Sequence, residues 1–175
     1  MLETLYIVRH GEAMPHGTPG ISDDDRPLTP EGEKRFRVVA RGFARLEPRL
    51  DRVVTSPLPR ARRTAELLVE ALRWPRDRLE VDPSLSAHED SGAIARWVHD
   101  QCASATGSMA IVGHNPWCEE LLGRLVAGAA DVVFAEFRKG AIAALHPGVR
   151  PSDRWGLEWL AQPRLLRRLG KGAED

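Results

Sequence analysis

The chain is short of cysteine and of lysine, carries no net charge and contains no long apolar run, and each shortage removes a class of function. Lys+Arg and Asp+Glu both number 25, so the formal charge is zero. A neutral protein lacks the broad field that captures nucleic acid or an anionic membrane, although a local basic pocket is still allowed. The only lysines are Lys34, Lys139 and Lys171, and arginine takes their place elsewhere. Cys102 and Cys118 belong to no C-x-x-C pair, so a zinc site is not expected. A disulfide between them stays open, but reduced thiols are the expectation for a small intracellular domain. Met1-Leu2-Glu3-Thr4 is not the basic start of a signal peptide, and no stretch approaches ~18 apolar residues. A cytoplasmic protein with no nucleic-acid or membrane partner is therefore expected. No H-E-x-x-H, P-loop or G-x-G-x-x-G occurs, and Ser56-Pro57 is not a nucleophile elbow, which weakens metal-hydrolase and nucleotide-fold readings.

What the chain does contain is an alternation of strands and helices. At 175 residues it suits one core, read as a single domain over 1–175. Leu5-Tyr6-Ile7-Val8, Val53-Val54-Thr55 and Met109-Ala110-Ile111-Val112 read as buried strands. Ala141 to Leu145 and Leu157 to Leu160 read as two more, with a brief extended piece at Leu79-Glu80-Val81. Thr29-Pro30-Glu31 predicts a helix start, followed by an apolar face of Phe36, Val39, Ala40, Phe43 and Leu46. Further helices are predicted after Ser56-Pro57, around Ile94 to Cys102, after Pro116, and from Pro163 to Leu169. The alternation implies an α/β fold: a three-layer sandwich with a mainly parallel central sheet and helices on both faces.

Three of these strands end in residues that can do chemistry. Arg9-His10-Gly11-Glu12 follows the first, Ser56 to Arg60 the second, and Gly113-His114-Asn115 the third. In a parallel sheet those ends share one edge, where open α/β sheets bind ligands. Gly11 is expected to turn the backbone sharply. Arg9, Arg60 and a protonated His114 would surround a dianion, with His10 as a nucleophile if its attacking nitrogen is unprotonated. Each residue alone has a bland alternative: Arg60 as one of several helix-surface arginines, His114 as a helix cap. The Asp23-Asp24-Asp25 run is read as a solvated turn over the first strand, and His16, His88, His99 and His146 as loop or surface residues.

Taken together, Arg9-His10-Gly11, Ser56-Pro57-x-x-Arg60-Ala61-x-x-Thr64 and Gly113-His114-Asn115-Pro116 resemble the histidine phosphatase superfamily, with its phosphoglycerate mutase-like fold. Arg26-Pro27-Leu28-Thr29-x-x-Gly32, Lys139-Gly140-Ala141 and Trp159-Leu160-x-x-Pro163 resemble its SixA-type phosphohistidine phosphatase branch. The resemblance implies that His10 is a nucleophile forming a phosphohistidine intermediate. It implies that Arg9, Arg60 and His114 hold phosphate oxygens, with Gly11 and Asn115 beside them, and that no metal or other cofactor is required.

One departure bears on the substrate. Phosphoglycerate mutases place a glutamate shortly after the leucine matching Leu85, whereas this chain reads Leu85-Ser86-Ala87-His88-Glu89-Asp90. Mutases also have an asparagine where this chain has His16. An alkoxide leaving group needs a general acid, but an imidazole, with a conjugate-acid pKa of ~6.5, leaves readily without one. The expected partner is accordingly a phosphohistidine-bearing protein. A small phosphorylated molecule handled by the same site, and a non-catalytic phosphate-binding module, are the alternatives. Glu89 or Asp90 would serve as acid only by swinging in. With no long heptad or spare apolar helix, a monomer is expected.

Overall fold

The computed structural model describes residues 2–46, 48, 50–104, 106–132, 135–148 and 154–172. Its central strand, β1 (Leu2–Arg9), shows why a continuous apolar run was needed there. Tyr6 and Val8 pack into one core with Phe36, Phe43 and Leu68, while Leu5 and Ile7 pack into a second with Ile94, Trp117 and Leu122. Side chains alternate across a strand, so a strand covered on both faces must be apolar at every position.

The other elements follow in the order α1 (Pro30–Ala44), β2 (Arg52–Thr55), α2 (Pro59–Ala71), β3 (Leu79–Val81), α3 (Ser91–Ser104) and β4 (Gly107–Gly113). Then come α4 (Trp117–Ala127), β5 (Ile142–His146), β6 (Gly156–Ala161) and α5 (Pro163–Lys171). The strands form one sheet in the order β3-β2-β4-β1-β5-β6. Parallel pairing joins β3, β2, β4 and β1, and β5 alone runs against the rest. Helices α1, α2 and α5 cover one face; α3 and α4 cover the other. The fold is thus the expected α/β sandwich. Among the described residues no helix is long and apolar enough to cross a membrane.

Helix α1 starts as the sequence predicts. Thr29 Oγ1 accepts the Gly32 N–H at 2.9 Å, Pro30 opens the first turn, and Glu31 and Glu33 sit where the helix dipole favours acid. Its predicted apolar face is shorter than expected, because α1 ends at Ala44 and leaves Leu46 43% exposed. Helix α2 opens at Pro59 rather than Pro57. Ser56 Oγ accepts the Leu58 N–H at 3.3 Å, and this local turn displaces the helix start by two residues. After β3 a short 3₁₀ turn, Pro83–Leu85, buries Leu85. Both cysteines are free.

Helices α1 and α5 approach closely through a pair of glycines. A Cβ on Gly42 would lie 1.9 Å from the Leu166 carbonyl oxygen, and one on Gly170 would lie 2.1 Å from that of Val38. Backbone cannot yield as a flexible side chain can, so Gly170→Ala should cost about 1–3 kcal/mol of stability through overpacking. Urea denaturation checks this; an unchanged midpoint would mean that α5 simply slides away from α1.

Candidate active site

Strand pairing brings the three motifs together. Arg9 lies opposite Gly113 across β1 and β4, and Thr55 lies opposite Val112 across β2 and β4. The next residues, His10, His114 and Ser56, therefore leave adjacent strands at one edge. The His10 N–H donates to the Gly113 carbonyl at 2.9 Å and the Ser56 N–H to that of Val112 at 3.0 Å, extending the ladder into the site. The two imidazoles are buried with ring centroids 5.1 Å apart. Thr64 ties α2 to β1: its hydroxyl donates to the Arg60 carbonyl at 2.6 Å and accepts the Gly11 N–H at 3.0 Å.

That last bond changes the part expected of Gly11. Its N–H is already engaged and is not offered to a substrate. Gly11 also does not adopt a left-handed backbone; the positive-φ glycine here is Gly140, at φ 85°. The Gly140 N–H is shared by the carbonyls of Arg9 (3.1 Å) and His10 (3.0 Å), which locks the loop before β5 onto the end of β1. The sharp reversal belongs to Gly140 and not to Gly11.

The electrostatics favour a neutral His10. Its Nδ1 lies 2.6 Å from the Gly11 carbonyl oxygen, which can only accept, so the proton sits on Nδ1 and Nε2 keeps its lone pair. Burial pushes the imidazole down to about 3; Arg60, Arg9 and Lys139 add to this, and the Gly11 bond opposes it. His114 departs from expectation. Burial first, then the neighbouring His10 and Arg60, holds it well below the ordinary imidazole range, so it is neutral in the free protein. Its Nε2 pairs with Ser56 Oγ at 2.8 Å.

Arg60 is no surface arginine: its side chain is 3% exposed. Its Nη1 donates to the Asp23 carbonyl at 2.7 Å, and its Nη2 lies 3.7 Å from the Asp23 carboxylate. Arg9 Nη1 donates to the Phe137 carbonyl. The Nε atoms of both arginines and His114 Nδ1 are buried without a protein partner. Buried polar atoms are nearly always satisfied, so three orphans around His10 fit a site able to hold an oxyanion.

The aspartate run does more than face solvent. Asp23 pairs with Arg26 at 2.8 Å as well as with Arg60, and Asp24 meets His88 at 2.7 Å, joining the 13–28 loop to the 85–90 loop. The other predicted surface histidines, His16, His99 and His146, are exposed. Asp90 caps α3, accepting the N–H groups of Gly92 (2.9 Å) and Ala93 (3.2 Å), while Glu89 is exposed. The Asn115 carboxamide donates to Glu119 at 2.7 Å, and Glu119 in turn accepts the Phe137 N–H at 2.8 Å. Sequence reading missed Asp23, Glu119 and Phe137. Only Glu119 carried a signal, as a helix-spaced i+4 partner of Asn115. Among the described residues no group of three or more His, Cys, Asp or Glu could hold a metal ion.

Comparison with known proteins gives the family. The model of the histidine phosphatase superfamily (branch 1) matches residues 5–88, which include Arg9-His10-Gly11 and Arg60. An uncharacterized protein of Picosynechococcus sp. is 36% identical over 121 residues, 67% of this chain and 72% of that protein. The chain belongs to the histidine phosphatase superfamily. Phosphohistidine phosphatase SixA of Escherichia coli is 28% identical over 130 residues, covering 74% of this chain and 78% of that enzyme. A solved structure of the protein histidine phosphatase SixA complexed with tungstate superposes with a TM-score of 0.79 at 27% identity. That alignment covers 93% of this chain and 99% of the other, and so extends the likeness well past residue 88.

Two neutral buried histidines make the protein acid-sensitive. An unfolded histidine gains its proton near pH 6.5, whereas His10 and His114 resist it until far lower pH. Stability should be fully present above pH ~6.5 and fall as pH drops below it, by up to about 1.4 kcal/mol per pH unit for each histidine. A bound oxyanion raises imidazole pKa, so orthovanadate binding near neutral pH should take up protons. Calorimetry in buffers of different ionisation enthalpy measures that uptake; buffer-independent heats would mean that His114 stays neutral throughout.

Proposed function

We propose that residues 1–175 act as one histidine phosphatase domain that hydrolyses phosphohistidine on a protein through a covalent intermediate on His10. The observation that carries this is the Nδ1–H bond from His10 to the Gly11 carbonyl, which leaves Nε2 unprotonated inside a cationic, buried site. The similarity to phosphohistidine phosphatase SixA supports the substrate class.

In the first step His10 Nε2 attacks phosphorus, and the bond from phosphorus to the substrate imidazole breaks. That imidazole departs with the electron pair, as a neutral ring if its other nitrogen carries a proton. Arg9 and Arg60 hold the equatorial oxygens, where positive charge is worth most in a site shielded from water. His114 completes the set by gaining a proton as the dianion arrives, and the Asn115 backbone N–H is its neighbour. Water then attacks the phosphoryl group and the bond to Nε2 breaks, returning its electron pair to His10; one proton of the water stays as the hydroxyl of the phosphate, and the other leaves on a second phosphate oxygen or to solvent. The His10 Nδ1–H stays on the ring and donates to the Gly11 carbonyl throughout. The charge this sequence requires comes from side chains, so we propose that no metal takes part.

The leaving group follows from the acids. Asp90 is occupied as a helix cap and Glu89 is exposed, which favours an imidazole over an alkoxide. Turnover of a phosphohistidine peptide and of p-nitrophenyl phosphate, parent against His10→Ala, tests the reading. Phosphohistidine turnover should vanish with His10, and Arg60→Ala should cost about 10²–10³ in kcat, as loss of a strong charge-stabilising donor does. Activity confined to the aryl ester would move the substrate to a small phosphomonoester. Phosphate binding with neither activity would leave a binding module.

A further inference from the structure

Beside the two histidines, on the β5–β6 side of the same sheet edge, lies a cleft of about 340 Å³. Arg9 is common to the cleft and the active site, while His10, Arg60 and His114 do not line it. Its walls come from the start of α1, the loop before β5 and the start of α5. Arg9, Arg35, Arg138, Lys139 and Arg167 contribute cations, against the carboxylates of Glu12 and Glu136. Arg35 is paired with Glu12 at 3.1 Å and Arg138 with Glu136 at 3.3 Å. Arg9, Lys139 and Arg167 are left without a carboxylate partner among the described residues.

The excess continues along α5. Arg164, Arg167, Arg168 and Lys171 lie on this helix with no acidic residue, and Leu165 (52%) and Leu169 (37%) are exposed between them. On a chain whose net charge is zero, such a concentration is a local design and not a bulk property. The phosphoryl group itself is provided for by Arg9, Arg60 and His114. The extra cations therefore face something attached to it.

We propose that this cleft receives an acidic segment of the phosphorylated protein, whose carboxylates pair with Lys139, Arg138 and Arg167 while its phosphohistidine reaches His10. The assignment rests on the phosphohistidine reading above. A polypeptide fits better than a membrane: the cleft is concave and shares Arg9 with the active site, where a flat bilayer cannot follow.

Two phosphohistidine peptides of equal length, one flanked by glutamates and one by lysines, test this against the parent and an Arg138→Glu/Arg167→Glu variant. The parent should prefer the acidic peptide by about tenfold in kcat/KM, chiefly through KM, and added salt should erode the preference. The variant should lose the preference, yet turn over phosphoramidate, too small to span the cleft, within about twofold of the parent. A fluorescent, unphosphorylated glutamate peptide supplies a readout independent of catalysis; its binding should weaken about tenfold in the variant. Equal kcat/KM for the two peptides, with no binding of the glutamate peptide, would overturn the cleft assignment and leave the phosphatase reading intact. Glutamate-peptide binding that the variant loses, in a parent that turns over no phosphoramidate or phosphohistidine, would support the cleft and sink the phosphatase reading. Loss of binding to phosphatidylglycerol vesicles in the variant, with no glutamate-peptide binding by the parent, would assign the surface to membranes and overturn the proposal.

Discussion

An imidazole buried between two arginines is tolerable only while it is neutral, and much of this structure follows from that constraint. Charging His10 would place a third cation in a site that already holds Arg9 and Arg60 away from water. Burial keeps it neutral, and a partner for its one N–H fixes which nitrogen carries the proton; the Gly11 carbonyl supplies that partner at 2.6 Å. The Gly11 carbonyl is in turn held by the backbone around it: Gly11 N–H on Thr64, and the His10 carbonyl on Gly140. A buried imidazole with an unprotonated Nε2 thus arises from ordinary desolvation and one backbone hydrogen bond.

The sheet delivers the remaining groups with little further adjustment. Because β2, β4 and β1 are parallel neighbours in register, their last residues converge, and the first residues beyond them face one another. The same edge carries the antiparallel turn into β5, which brings Phe137 to Arg9 and Lys139 near His10. The single reversed strand therefore joins the reacting centre to the basic cleft beside it. Over the top, Asp23 pairs with the buried Arg60, and the exposed pair of Asp24 with His88 joins the 13–28 loop to the 85–90 loop.

The strands and the catalytic motifs were legible in the sequence because they are local. Apolar runs covered on both faces and polar residues immediately after them need only periodicity to be seen. The start of α1 was equally plain, from Thr29 and Pro30. What could not be read depended on contacts across the fold. Helix α2 opens two residues late because Ser56 serves a turn and His114 together. The neutrality of His114 comes from burial, whereas its motif suggested a cation. Gly11 looked like the turning glycine, but only the structure shows Gly140 in that role. The cleft was invisible, since Arg35, Lys139 and Arg167 come from three separate elements.

The most direct measurement is to stop the reaction within the first turnover in alkali, which preserves phosphoramidate bonds, and to locate the phosphoryl group by mass spectrometry. Label should appear on His10, formed no more slowly than product and absent from His10→Ala. Product appearing through the first turnover with no label on the protein would contradict it, since water would then be attacking the substrate directly.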